Sequence, residues 1–141
     1  MSWLVFALLS ALMAALVAIF GKIGLEKVDS TLATTLRSII MMVFLVFTSL
    51  VLGKFKGFSV ADLSSKQWWY IVFAAVAGAL SWLFYFLALK YGKASHVVAI
   101  DRLSVVFVVF LAAVFLSESL GWKSVLGAAM ITGGAILISL N

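Results

Sequence analysis

The chain has 141 residues, of which 66% are hydrophobic and 11% charged, and its mean hydropathy is +1.28. Ten basic and five acidic side chains cannot clothe a soluble domain of this length, so apolar runs of about 20 residues read as membrane-spanning helices. The lack of cysteine excludes disulfides, thiolate metal sites and thiol catalysis, and the lack of proline leaves any helix break to glycine or packing.

The first apolar run, 2–21, has no positive side chain before it and exceeds the h-region of a signal peptide, so it is expected to be a retained span. The connector Lys22-Ile23-Gly24-Leu25-Glu26-Lys27-Val28-Asp29-Ser30 follows, with Asp29 or Ser30 as N-cap of a second span over 31–52. Gly53-Lys54-Phe55-Lys56-Gly57-Phe58 opens the longest loop, which ends near Lys66. A third span is predicted over 67–89, a tight turn at Lys90-Tyr91-Gly92-Lys93, a fourth span over 94–117, a turn over 118–123 and a fifth span over 124–140. The expected fold is all-α, one polytopic domain of five transmembrane helices over 1–141.

Aromatic residues support these limits. Trp3, Trp68, Trp69, Tyr70 and Trp122 fall on the membrane face that carries the N-terminus, where an interfacial belt belongs. Trp82 lies well inside the third span. The loop lysines divide evenly: Lys54, Lys56, Lys66 and Lys123 on the N-terminal face, Lys22, Lys27, Lys90 and Lys93 on the other. Orientation follows Lys/Arg asymmetry near helix ends, and here there is almost none. Two topologies stay open: one orientation with a weak signal, or insertion both ways, which permits an antiparallel homodimer. The net charge of +5 comes from single basic residues at helix ends, as lipid headgroup contacts require, and not from a nucleic-acid-binding patch.

Charges inside the spans are the costly feature. Each costs roughly 2.5–3.5 kcal/mol at the centre of an inserting helix, and such groups usually face a water-filled or substrate-lined interior. Arg37 in the second span, Trp82 in the third, and Asp101 and Arg102 in the fourth each lie about 10 Å from the C-terminal face by helix rise. Tyr85 sits nearer that rim. Asp101 and Arg102 point about 100° apart, so Asp101 is better placed to meet Arg37, leaving Arg102 for an anion, a carbonyl or headgroups. Two readings follow: these groups lock the bundle by ion pairing and snorkelling, or they form a small-molecule or ion pathway between helices.

His96, just inside the same face, reads first as an interfacial polar residue and second as a proton relay. Glu118 meets the negative end of its own helix and is assigned a turn-stabilising role with the amides near Ser124. Ala7, Ala11 and Ala15, Ala74 and Gly78, and Gly127, Ala129, Gly133 and Gly134 mark faces where helices approach closely. The last helix, Ser124 to Leu140, has almost no polar residue and is a candidate dimer seam. No phosphate-binding loop, metal-ligand cluster or catalytic serine–histidine–acid arrangement is present, so neither an enzyme nor a cofactor is expected. A channel is disfavoured because no span carries a continuous polar stripe.

Several segments together resemble the EamA-like proteins of the drug/metabolite transporter superfamily. They are Ser81-Trp82-Leu83-Phe84-Tyr85-Phe86-Leu87-Ala88-Leu89, the run His96 to Phe107 containing Ile100-Asp101-Arg102, Phe115-Leu116-Ser117-Glu118, the glycine-rich last helix, Phe20-Gly21-Lys22-Ile23-Gly24-Leu25 and Arg37. Most members of that family have ten spans in two five-helix halves, and this chain is similar to the short five-span bacterial and archaeal type. The resemblance implies half of an inverted-repeat transporter, in which a homodimer imitating the whole must be antiparallel. Ile100 stands where such sequences often have proline, so a helix break beside Asp101 is not implied. The related small multidrug resistance family uses a glutamate in its first helix, and this first span has no acid.

The expected function is secondary transport of a small metabolite or drug-like molecule across a prokaryotic inner membrane. Alternating access is expected around Arg37, Trp82, Tyr85, Asp101 and Arg102, in an antiparallel homodimer. The alternative is a structural or accessory membrane subunit, or one half of a heteromeric transporter.

Overall fold

A computed structural model describes residues 3–117, 119 and 121–140. All regular structure among them is helical: α1 Trp3–Gly24, α2 Ser30–Val51, a single 3₁₀ turn Val60–Asp62, α3 Ser65–Tyr91, α4 Ala94–Asp101, α5 Ser104–Leu116 and α6 Trp122–Ser139. Five helical segments are long and apolar enough to cross a membrane, with α4 and α5 together forming the fourth, Ala94–Leu116.

The helix ends follow local chemistry. Asp29 caps α2, its Oδ1 accepting from the amides of Thr31 at 2.9 Å and Leu32 at 3.1 Å. Those two amides, Leu32 first, hold the Asp29 carboxyl below the usual carboxylate range. At the start of α3, Ser64 and Gln67 form a reciprocal capping box. The Ser64 amide donates to Gln67 Oε1 at 2.9 Å and the Gln67 amide to Ser64 Oγ at 3.3 Å. That box starts the helix at Ser65, two residues before the expected limit. The loop between α2 and α3 turns at Gly53 and Gly57, with φ of +64° and +75°. Ser117 takes the left-handed conformation that ends α5, φ 55°.

The fourth span departs from a continuous helix, although neither proline nor glycine interrupts it. Around Arg102 the hydrogen bonds shorten to three-residue steps: the Leu103 amide donates to Ile100 O, Val105 to Arg102 O and Val106 to Leu103 O, at 2.9–3.0 Å. Arg102 and Leu103 have ψ of −14° and −18°, values of a 3₁₀ turn. The interruption is a tightening of the backbone beside the two charges.

The described residues fall into two compact units. In the unit of residues 1–23 and 91–141, α6 packs against α4 and α5. The buried side chains there are Ala18, Ala99, Ala128 and Ala135, small enough for close helix approach. The glycines of α6 play no part in that contact, since a Cβ at Gly127, Gly133 or Gly134 would meet nothing within 4 Å. Lys22 at the end of α1 donates to Gly92 O at 2.8 Å, tying that helix end to the turn before α4. In the unit of residues 24–90, the buried residues are Leu25, Ser30, Thr34, Phe86 and Leu89. The hydroxyls of Thr34, Thr35, Ser38 and Thr48 in α2 each donate to the carbonyl four residues back, which satisfies them without water. Most large apolar side chains of the spans stay exposed on the isolated chain, as lipid-facing surfaces do.

Candidate functional site

Arg37 projects from α2 onto an aromatic cluster of α3. Its guanidinium carbon lies 3.8 Å from the Trp82 ring centroid and 4.7 Å from that of Phe86, cation–π geometry that needs no water. Trp82, Tyr85 and Phe86 occur at i, i+3 and i+4 and so share a helix face. Their centroids are 5.6–5.8 Å apart, with Tyr85 edge-on to both neighbours.

The polar edge of the guanidinium is poorly matched. Nη1 donates to the Met41 sulfur at 3.4 Å, a weak acceptor. Nε and Nη2 are shielded and have no hydrogen-bond partner. An unmatched donor is costly in a protein interior and more so at membrane depth. The π faces compensate part of the charge but none of the donors.

Two of the residues in this cluster, Met41 and Phe86, were not singled out in the sequence as site residues. Helical spacing pointed to both: Met41 is four residues after Arg37, and Phe86 four after Trp82. Thus three sequence-predicted residues, Arg37, Trp82 and Tyr85, stand together in one unit. Asp101 and Arg102 belong to the other unit, at the tightened turn between α4 and α5, where both side chains are exposed on the chain. Their position at a mid-span 3₁₀ turn is a feature that composition did not reveal. Glu118 lies outside the described residues.

His96 lines a depression with Lys93, Ser95, Leu137 and Ile138 at the start of α4. Its lining mixes polar and apolar groups, which suits the interfacial role expected for that histidine. No group of three or more metal-ligating side chains occurs among the described residues.

Five helical segments long and apolar enough to cross a membrane define an integral membrane protein of polytopic, helical type. The model of the EamA-like transporter family matches residues 1–140, and the chain belongs to that family. It is 34% identical over 139 residues to a Sinorhizobium protein described as an uncharacterized transporter in the cobO 3′ region, covering 99% of this chain and 97% of that one. No solved structure gives a significant match. The family is one of transporters and not typically enzymatic.

Proposed function

We propose that this protein is a secondary transporter that moves a small organic molecule across the inner membrane of a prokaryote by alternating access. The observation that carries the reading is Arg37, a cation within the apolar helix α2 with two unmatched donors against an aromatic wall. A group so costly is retained where a ligand completes it. In this scheme Arg37 attracts an anionic or carbonyl group, and Trp82 and Tyr85 form the walls. Asp101, in the other unit, is assigned to coupling, where it carries a proton. The tightened turn beside Asp101 and Arg102 gives the fourth span a point at which to bend, and irregular backbone in transporters is found where it lines a cavity.

The working unit in this reading is an antiparallel homodimer. Five spans place the two termini on opposite faces, so two parallel copies cannot reproduce a ten-span chain of two fused halves. The lysine count of four against four puts no strong orientation on either copy. The open glycines of α6 offer the seam. A heteromeric half would carry a lysine bias of its own, and this chain carries none.

Purified protein reconstituted into liposomes tests the function. Uptake from a mixture of labelled small metabolites, above that of empty liposomes, is expected for at least one solute. Its loss in Asp101→Asn, with folding retained, supports a coupling role for that acid. Full transport by Asp101→Asn excludes one.

A further inference from the structure

Arg37 is the sole charged side chain in the membrane-crossing parts of α2 and α3, since Lys66 and Lys90 sit at the two ends of α3. No carboxylate of its unit pairs with it: Nη1 has the Met41 sulfur, and Nε and Nη2 have nothing. One face of the guanidinium is taken by Trp82 and Phe86, whose own centroids are 5.7 Å apart and therefore form a continuous wall on that side. The edge that would grip a planar anion in two parallel hydrogen bonds is left without acceptors.

From this we infer that the ligand of the Arg37 site is an organic monoanion, a single carboxylate on a flat apolar body, and that Arg37 is parked against the rings in its absence. The inference rests on the transport reading for its biological sense but not for its chemistry. Charge selects first. One fixed cation in a low-dielectric span neutralises one negative charge, whereas a dianion leaves an uncompensated charge and a cation is repelled. Geometry selects next. A carboxylate presents two acceptor oxygens to the guanidinium fork, which an amide cannot do, and neutral acceptors give weaker bonds. The wall selects last. Trp82, Tyr85 and Phe86 offer ring faces and edges, and Met41 a polarisable thioether, all suited to a flat apolar body. In the parked arrangement the shielded donors cannot be reached, so binding requires the guanidinium to turn away from the Met41 sulfur toward the incoming carboxylate.

The test uses the full chain in detergent with benzoate, phenylacetate and indole-3-acetate as probes. Phenylacetamide, phenethylammonium and phenylmalonate serve as neutral, cationic and dianionic counterparts. Calorimetric binding of at least one carboxylate is expected, at least tenfold tighter than its amide, with no binding of the ammonium or the dianion. Arg37→Met should abolish that binding. Arg37→Lys, which keeps the charge but loses the fork, should weaken it tenfold or more and gives a second reading if the methionine variant does not fold. The inference is overturned if no monoanion binds, if the amide binds as well as the acid, or if Arg37→Lys binds with unchanged affinity. Arg37-dependent binding without flux in liposomes would overturn the transport reading and leave the site chemistry standing. Flux of a neutral solute that ignores Arg37 would do the reverse.

Discussion

The guanidinium of Arg37 lies 3.8 Å from the centre of the Trp82 ring, joining α2 to α3 through a contact that requires no water. The contact compensates charge while leaving two donors unmatched. In the proposed reading, the donors that serve a ligand are the ones that cost stability. Arg37→Met should leave the protein equally stable or stabilise it by about 1 kcal/mol, because two shielded donors without partners on a partly buried cation are replaced by an apolar chain of similar length. Trp82→Leu should destabilise the native protein by about 1–2 kcal/mol. That loss should shrink in the Arg37→Met background. Denaturant unfolding in mixed micelles measures the cycle, and equal losses in both backgrounds would show that the ring packs without serving the cation.

Asp29 gives a pH dependence of known sign. Its carboxylate accepts two amide hydrogen bonds only in the folded state, so its pKa is depressed on folding. The stabilisation is fully present above the unfolded value of about 3.9 and is lost as pH falls through the lower folded value. Thermal melts should show wild type more stable than Asp29→Asn at neutral pH, and the gap should close on acidification. A gap that widens toward low pH would contradict the cap.

The alanines and glycines of α6 should separate packing within the chain from packing between chains. Ala135 is buried, and Ala135→Leu should cost about 1–3 kcal/mol by overpacking. Gly133 faces open space, and Gly133→Ala should stabilise the helix by up to about 1 kcal/mol in a monomeric state. Gly133→Leu should keep the monomer folded while lowering the dimer fraction in cross-linking or sedimentation in detergent. An unchanged dimer fraction would move the seam away from α6.

The spans were legible because hydropathy over about 20 residues is a strong signal and each break carries its own chemistry, as at Asp29 and at Gly53 to Gly57. Limits shifted where side chains extend a helix by capping, as Ser64 and Gln67 do for α3. They also shifted where nothing stopped the helix, as at the end of α1, which runs to Gly24. The candidate site was partly legible. Arg37 and Trp82 stood out because they are expensive or unusual at depth, and Tyr85 followed as part of the same run. Met41 and Phe86 are marked only by their four-residue spacing from Arg37 and Trp82, because an apolar residue in an apolar helix carries little signal until its neighbour is known. The turn at Arg102 and Leu103 was hidden for a related reason: without proline or glycine, a 3₁₀ step leaves no mark in composition.

The sequence has no cysteine, so the proposed pairing of the chain with an inverted copy of itself can be read by single-cysteine labelling. Single cysteines at Phe58→Cys in the loop before α3, and at Val28→Cys in the turn before α2, lie on opposite membrane faces. Both should be labelled by a membrane-impermeant maleimide added outside intact cells, each to roughly half the extent reached after permeabilisation. A pair of oppositely inserted copies requires that split at both positions. Complete labelling of one position with none of the other, in protein that still transports, would contradict it.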